Sequence, residues 1–527
     1  MKKKTFVVLL LALALLCAQV PALAAFHAEG FPVVDDLTTF NIICTASVLN
    51  APYNDMPLFQ ELEAKTNVHV EWEEVTSGYA ERKNLVFASG QLPDAFFGKD
   101  CLTDTDVIRY AAQGYLTPME GLIEQYCPNL QAILEARPSL RSFLTAPDGH
   151  IYTLPCVEEQ TYLEAGSHFF INKTWLEKVN MDVPATTEEF YQVLKAFKEA
   201  GDLNGNGKAD EIPFSFRFSD WCDGIMCMYG AFGIPDDLRS TARHFAVAED
   251  GKTVVFVPTL DSYKEGVEWF NKLFSEGLID AEAMTQDNGQ YVAKGMGEDL
   301  VYGAFMKWAD FQTVGWDKAR NDYTYLLPLK GPEGKQYWTY NDQMWVRNTF
   351  AITSACKEPE VLMRWVDDMF DPTKSVEWVY GKDGECISIT PEKISWLPSP
   401  EGMNQQDWRF KQTPGNGPAA VLKETTAIMD RSAEEGVVRR TARTTAYRPY
   451  LYMNYYPQVY LTEEQNSVID QLSIDIQSYT DQTIADWIVN GGVETGWDSY
   501  VKSLDNMGLQ EMLAVYQAAY DTYLSNQ

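Results

Sequence analysis

Apolar and polar residues alternate along the first part of the chain with two different periods, which predicts strands separated by helices. Short apolar runs rich in β-branched and aromatic residues predict strands, and apolar positions spaced three and four apart predict helices. In chain order these are strands at 40–44, 68–72 and 95–98 and helices at about 56–65, 80–89 and 104–113. Strands and helices that alternate in this way build a parallel sheet, so the expected fold class is α/β.

The loop Gly98–Cys101 directly follows one of these strands. Ligands of open α/β sheets bind at the carboxyl ends of the strands, which makes Asp100 a candidate for binding ligand hydroxyls. A solvated loop carboxylate is the plain alternative.

The middle of the chain predicts a helix, a loop and a strand in succession. Thr186 and Glu189 form a capping box, and the apolar residues Phe190 to Phe197 follow at helical spacing. The alternating aromatics of 214–218 predict a strand. Beyond about 462 the pattern becomes helical to the end of the chain.

The loop between that helix and that strand has the spacing of a calcium-binding loop. Counted from Asp202, positions 1, 3, 5 and 9 are Asp, Asn, Asn and Asp, and position 6 is Gly207, as in an EF-hand. Lys208 at position 7 offers its backbone carbonyl. Position 12 is a proline, so Glu211 is the expected substitute for the usual bidentate Glu. A hydrophilic Asn-Gly turn is the alternative. No second EF-hand follows this loop in the sequence. A calcium ion bound here is therefore expected to be structural.

Residues 1–24 have the pattern of a signal peptide. A basic start, an apolar stretch too short to cross a membrane and a small-residue end at Ala22–Ala24 predict export and cleavage after Ala24. Lipid attachment at Cys17 is the alternative, although the bulky Leu16 fits a lipobox poorly.

The length and net charge of the chain indicate its number of domains and exclude some kinds of binding partner. A chain of 527 residues predicts two or more domains, and its formal net charge is −33, or −36 once the three lysines of the n-region are removed. A protein with this much negative charge repels nucleic acid and anionic lipid. Neither is therefore an expected partner. The eight cysteines after Cys17 are dispersed without a CxxC pair, which favours buried thiols or an occasional disulfide over a metal or redox site.

A series of short segments resembles the extracellular solute-binding proteins of bacterial ABC transporters. The joint order of the segments carries the resemblance, which spans nearly all of the mature chain and points to the large oligosaccharide-binding branch of Gram-positive bacteria. The segments are 90–94, 148–155, 171–176, the loop 202–211, 272–280, 329–334 and 497–501.

This resemblance implies a two-lobed fold of the type 2 periplasmic-binding-protein class, with lobes joined by crossing strands and a helical C-terminal region. It implies an extracellular, surface-located monomer that binds an oligosaccharide in the interlobe cleft and delivers it to permease subunits. The expected lobes are 36–165 with 319–372, and 166–318 with 373–527. By the same resemblance the calcium ligands would be Asp202, Asn204, Asn206, Lys208, Asp210 and Glu211.

Aromatic residues make up 13% of the chain, which suits a sugar cleft because sugar C–H faces pack on aromatic rings. Trp308 follows a predicted strand where maltose-binding-like relatives carry a stacking Trp, and Trp221 follows the strand ending near 218. Burial in a core is the alternative for both. Weaker candidates are Trp345, Trp378, Trp396, Tyr447, Tyr450, Tyr452, Tyr455 and Tyr456.

The sequence leaves two other functional classes to consider, an enzyme and an adhesin. A secreted carbohydrate-active enzyme would need two carboxylates across a scissile bond, and 75 acidic residues always offer some pair. No HExxH, GxSxG or phosphate-binding loop occurs, and the five histidines are scattered, so a non-catalytic protein is expected. A calcium-dependent adhesin would carry repeated modules, and none is present.

Overall fold

The computed structural model describes residues 25–238, 242–341 and 344–525. The expected signal peptide and Cys17 lie outside the described residues. The strands, β1 to β17 in chain order, are Thr38–Thr45, Val68–Val75, Ala95–Phe97, Leu154–Glu158, His168–Asn172, Ile212–Ser215, Phe245–Val247, Val254–Phe256, Tyr302–Lys307, Tyr323–Leu326, Trp338–Thr339, Trp345–Ile352, Ile387–Ile389, Ile394–Trp396, Ala419–Val421, Met429–Asp430 and Leu451–Tyr452.

The α-helices of the described residues, α1 to α20 in chain order, are Pro57–Thr66, Tyr79–Ser89, Asp104–Ala112, Glu120–Tyr126, Pro128–Ala136, Pro138–Leu144, Lys173–Lys178, Thr187–Ala200, Asp261–Ser275, Asn288–Met296, Phe311–Val314, Trp316–Asn321, Pro359–Asp367, Pro372–Tyr380, Gln405–Arg409, Lys423–Thr426, Glu435–Tyr447, Glu463–Asn490, Val493–Asn506 and Leu509–Ser525. Short 3-10 helices occupy Tyr53–Asp55, Thr161–Leu163, Met226–Ala231, Val257–Thr259, Asp368–Phe370 and Arg448–Tyr450.

The first lobe is built on a six-stranded sheet with the strand order β15-β4-β12-β3-β1-β2. Strand β1 pairs in parallel with β2 and β3, whereas β12 runs antiparallel to β3 and β4. Apolar side chains on one sheet face form a large core with α1, α13 and α14, and those on the other face form a smaller one with α2 and α3. Strands β1, β3 and β4 therefore end at the same edge of the sheet.

The second lobe is built on a four-stranded sheet with the order β10-β5-β9-β6. Strand β5 is antiparallel to both neighbours, and β6 is parallel to β9. Its main core includes α8, α9 and the three C-terminal helices. Strands β6 and β9 end toward the first lobe, and this places the loops that follow them at the cleft.

The lobes are joined by three crossings, after β4, after β11 and after β16. Two of the expected lobe boundaries differ from this packing. Tyr323–Leu326 pairs with β5 of the second sheet, although 319–372 was expected in the first lobe. Conversely, 376–421 contributes to the first core, although it was expected in the second lobe. Both placements depend on strand partners distant in sequence, which local patterns do not encode.

The chain touches the first lobe once more between the second-lobe helices α17 and α18. Tyr460 is buried in the smaller core of the first lobe, with the Arg347 guanidinium 3.7 Å from its ring centre. Arg347 also donates to the Gln458 carbonyl at 3.3 Å and pairs with Asp104. This segment fixes the start of α18 against the first lobe.

The eight cysteines from Cys44 to Cys386 form no disulfide with one another in the structure, and seven of them are buried. Burial raises their pKa values wherever a shift is resolved, for example that of Cys156 to about 11. Thiols of this kind are unreactive at neutral pH, as expected from their dispersed positions. In the part of the chain that the structure describes, no helix is both long and apolar enough to cross a bilayer.

Candidate functional site

A cavity of about 200 Å³ lies between the two lobes at the ends of their strands. Trp308 comes directly after β9, and Trp221 lies in the loop after β6. The first lobe contributes Lys99, which follows β3, and Glu158, the last residue of β4. The two tryptophans predicted from sequence are therefore brought together in one cavity, opposite a charged pair that sequence reasoning missed.

The two indole rings meet edge to face, with ring centres 5.9 Å apart and planes at 70°. Trp221 is 42% exposed, and Trp308 is half-buried. An indole ring that is accessible in a cavity offers a large flat apolar surface for contact with a ligand. The pair forms an apolar platform with both rings accessible from the cavity.

Trp308 is held from behind by Arg440, whose guanidinium lies over the indole ring. Arg440 is buried and donates to three backbone carbonyls, those of Trp308 at 3.1 Å, Tyr162 at 2.6 Å and Ala165 at 2.8 Å. Burial lowers the pKa of Arg440, and the three carbonyls keep the desolvated group hydrogen-bonded. Arg440 thereby fixes the Trp308 ring and the crossing segment at 162–165 together.

The loop that carries Trp221 is fixed by charged groups on both sides of it. The Asp220 carboxylate accepts from the backbone N–H of Cys222 at 2.9 Å and of Asp223 at 2.8 Å, and pairs with Arg217. Asp223 in turn binds Arg217 at 2.9 Å and Lys307 at 2.6 Å. Trp221 thus projects from a rigid turn, which reduces the entropy lost on binding.

Lys99 and Glu158 face the tryptophans from the first lobe. The Lys99 ammonium lies 3.1 Å from Glu158, which also accepts from the Tyr380 hydroxyl at 3.3 Å. Gly98 before Lys99 has φ 104°, and a Cβ there would lie 2.3 Å from Oγ1 of Thr45. Glycine is therefore required for the chain to turn and place Lys99 in the cleft.

Asp100, the third predicted ligand-binding residue, lines a different cavity of about 600 Å³. Its backbone is left-handed, with φ 58°, and its side chain is exposed. Val346 lines both this cavity and the one with the tryptophans, so the two adjoin.

The weaker aromatic candidates are mostly packed in cores. Trp378, Tyr447, Tyr452 and Tyr456 are buried, and Trp396 packs against Tyr380. Trp345 and Tyr455 line a further cavity of about 400 Å³ near the crossings, and Tyr450 is half-buried.

Side-chain oxygens within the loop from Asp202 to Glu211 accept hydrogen bonds from the loop's own backbone N–H groups. Asp202 accepts from the N–H of Gly205 at 2.7 Å and of Gly207 at 2.9 Å. Asn204 accepts from Asn206 N–H at 3.0 Å, and Asn206 from Lys208 N–H at 2.8 Å. These contacts fold the loop into a succession of tight turns.

The donor groups of this loop fit a calcium ion. Oε1 of Glu211 accepts from the N–H of Leu203 and Asn204, whereas its buried Oε2 has no partner within the described residues. Hydrogen bonds from Asn204 and Asn206 lower the pKa of Asp210, so this carboxylate is ionised at neutral pH. No cluster of three His, Cys, Asp or Glu able to hold a metal occurs in the described ranges, and the donor set here depends on Asn oxygens and a carbonyl as well.

Comparison with known proteins identifies the family. Residues 58–377 match the family of bacterial extracellular solute-binding proteins. The chain belongs to this family. It is 35% identical over 518 residues to the fructooligosaccharide ABC transporter substrate-binding protein FusA of Streptococcus pneumoniae, covering 95% of this chain and 94% of FusA.

Solved structures agree with the two-lobed fold. Structures of S. pneumoniae FusA in complex with kestose, and of its EF-hand mutant in complex with fructo-nystose, are each 34% identical with a TM-score of 0.77, over 93% of this chain and 100% of theirs. An extracellular solute-binding protein of Bifidobacterium longum subsp. infantis is 25% identical with a TM-score of 0.81, over 95% of this chain and 100% of that one.

Proposed function

We propose that this protein is the substrate-binding component of an ABC importer and that it captures fructooligosaccharides in the cleft between its lobes. The proposal is carried by 35% identity to FusA over almost the full length of both chains. The matched region spans both lobes and therefore both sides of the cleft.

The cleft chemistry supports a sugar ligand. The rings of Trp221 and Trp308 offer flat apolar faces on which the C–H face of a sugar ring packs. Across the cavity, Lys99 donates hydrogen bonds and Glu158 accepts them, which suits hydroxyl groups that do both. A ligand held by both lobes stabilises the closed arrangement.

Isothermal titration calorimetry tests the ligand class directly. Kestose and nystose are compared with oligosaccharides of galacturonic acid, maltose and cellulose type at equal concentration. We expect saturable binding of the two fructans and a raised melting temperature, because they bind the native state. Preference for another class with no fructan binding would overturn the proposed ligand.

We also propose that the protein binds its ligand without cleaving it. Glycoside hydrolysis requires two carboxylates flanking the bond. Glu158 is the one carboxylate among the described residues that line the tryptophan cavity. Prolonged incubation with the bound oligosaccharide should return it unchanged, whereas products that increase with protein concentration would favour the carbohydrate-active enzyme.

We propose that calcium at the loop is structural, with Asp202, Asn204, Asn206, Lys208 (through its carbonyl), Asp210 and Glu211 as ligands. The EF-hand mutant of FusA supports this assignment, as does the unpartnered oxygen of Glu211. The loop joins α8 to β6 of the second sheet. A bound ion would fix the angle at which β6 leaves the helix and thereby stabilise the lobe.

We propose that the chain is exported and acts as a monomer at the cell surface together with permease subunits. The extracellular family supports export. Mass spectrometry of the protein recovered from its own host would locate the mature N-terminus. A start after Ala24 is expected, and a lipid on Cys17 would instead show anchoring.

A further inference from the structure

The segment between α10 and β9 reaches the loop from Asp202 to Glu211 from another part of the chain. The Asn206 side-chain amide donates to Asp299, which lies 93 residues away in sequence, at 2.9 Å. The same amide donates to Asp210 within the loop at 3.0 Å. Carboxylates from two distant segments therefore converge on one residue of the loop. Asn206 is one of the proposed calcium ligands, so an ion that it binds lies within reach of Asp299.

The loop by itself offers fewer carboxylate oxygens than an EF-hand. Position 12 of an EF-hand is a Glu that binds the ion with both oxygens, and here that position is Pro213. Glu211, the expected substitute, accepts from the backbone N–H groups of Leu203 and Asn204 with Oε1. Its buried Oε2 has no partner among the described residues. Glu211 therefore offers one free oxygen where the usual glutamate offers two.

Position 12 lies in the sheet and does not return to the loop. Pro213 is buried in β6, and β6 pairs in parallel with β9. A Cβ on Gly303 of β9 would lie 2.6 Å from the Pro213 carbonyl oxygen, so the two strands are in close contact here. The Ile212 N–H donates to the Val301 carbonyl at 2.8 Å. Because Val301 is two residues from Asp299, the pairing of β6 with β9 brings this carboxylate beside the loop.

The backbone of the Asp299 segment is fixed by a lysine of α12. The Lys318 ammonium donates to three backbone carbonyls, those of Gly295 at 3.0 Å, Asp299 at 2.8 Å and Gly297. These contacts hold the segment in one conformation, which reduces the entropy lost when its side chain binds an ion. Lys318 binds the carbonyl of Asp299, whereas the carboxylate of Asp299 points to Asn206.

We propose that Asp299 is a further calcium ligand, which supplies from a second segment the carboxylate oxygen that the loop lacks. This inference rests on the proposed calcium site. Calcium takes about six to eight oxygen ligands, so the six groups of the loop leave room for one more. The ion then joins the starts of two neighbouring strands, β6 and β9, in addition to joining α8 to β6.

This position separates the ion from the sugar cleft. Trp308 and the loop that carries Trp221 lie at the opposite ends of β9 and β6. At about 3.3 Å per residue, the strand from 301 to 308 spans roughly 20 Å. Replacing Asp299 should therefore change calcium affinity and stability but leave oligosaccharide affinity close to the wild-type value.

Substitutions of two neighbouring acids test the assignment. Asp299→Ala removes the proposed ligand, and Glu298→Ala removes the same charge from an exposed side chain one position away. Competition with a chelator measures the calcium affinity of both variants and of wild type. Terbium, which replaces calcium in oxygen sites, reports the number of water molecules bound to the ion through its luminescence lifetimes in H₂O and D₂O. Melting temperatures verify that both variants fold.

We expect Asp299→Ala to lose about tenfold or more in calcium affinity and to add about one water molecule to bound terbium, because a ligand and its charge are removed. Glu298→Ala should change the affinity by less than about twofold, because exposed charges are screened by salt, and should leave the water count unchanged. Equal affinity losses in the two variants would show a long-range effect of charge. An unchanged water count in Asp299→Ala would show that Asp299 is not a ligand. Either result, or wild-type calcium affinity in Asp299→Ala, would overturn the inference.

Failure of the calcium site itself gives a different result. If the wild type binds no calcium, or if Asp202→Ala binds it as tightly as the wild type does, the ion does not belong to the loop. The proposed site and the inference then both fail. If the wild type binds calcium and Asp202→Ala does not, the behaviour of Asp299→Ala decides the inference alone.

Discussion

The Arg440 guanidinium lies over the indole ring of Trp308 and donates to the Trp308 carbonyl at 3.1 Å. One residue thus fixes both the ring and the backbone of a candidate sugar platform. Arg440 belongs to α17, the helix that follows the third crossing. The orientation of the binding surface is therefore coupled to the segments that join the lobes.

Replacing Trp308 by alanine should weaken oligosaccharide binding by about 1–3 kcal/mol, since truncation of a central aromatic anchor costs about that much. Calorimetry with the best-binding oligosaccharide measures the change. Trp316→Ala is the control, because Trp316 stacks on Phe311 and lines none of the three cavities described above. Equal affinity in wild type and a folded Trp308→Ala variant would place Trp308 outside the ligand site.

Arg440→Met should destabilise the protein by on the order of 3 kcal/mol, because three backbone carbonyls lose their buried donor. Chemical denaturation measures the free energy of unfolding. The control Arg320→Met removes an exposed pair with Glu435 and should cost less than about 1 kcal/mol. Similar effects of the two substitutions would contradict the role assigned to Arg440.

Removing calcium with a chelator should lower the melting temperature, and Asp202→Ala should lower it similarly and abolish the response to added calcium. The reason is that Asp202 supplies a charge and a ligand to a loop that lacks the usual position-12 Glu. The matched control is Asp182→Ala, an exposed acid of the same lobe.

Oligosaccharide affinity of the Asp202→Ala variant, measured well below its melting temperature, should stay close to the wild-type value. Loss of affinity in a folded, calcium-free protein would instead mean that the ion belongs to the cleft.

The free energy of unfolding should fall between about pH 6.5 and pH 9 because of His244. Burial by itself would lower the pKa of His244, but Asp236 at 2.8 Å and Asp481 at 3.3 Å raise it to about 9. A raised folded-state pKa means that the stabilisation is complete below the unfolded pKa and is lost as the pH rises through about 9. The loss should be on the order of 3 kcal/mol.

Denaturation curves of wild type and His244→Gln across this pH range provide the measurement. The neutral variant keeps a polar side chain but cannot titrate, so its stability should vary less with pH. Parallel curves for the two proteins would show that His244 carries no extra charge stabilisation.

The sequence by itself determined the elements whose signals are local. The helix predicted from the Thr186–Glu189 capping box is observed as Thr187–Ala200, with both reciprocal hydrogen bonds present. The helices expected at 56–65 and 80–89 are observed at Pro57–Thr66 and Tyr79–Ser89. The turn geometry of the loop from Asp202 follows from residues within a few positions of each other, which sequence spacing records directly.

Only the tertiary structure decided which distant residues share a surface. The pairing of Tyr323–Leu326 with β5, the packing of 376–421 in the first core and the meeting of Trp221 with Trp308 all join segments far apart in the chain. In α18, Ile469 and Ile476 are buried, whereas Asp470, Ser473 and Gln477 line the cavity of about 600 Å³. Helical periodicity predicts that a helix has an apolar and a polar face. Which face packs in the core and which lines a cavity depends on the segments that pack against the helix in the tertiary structure.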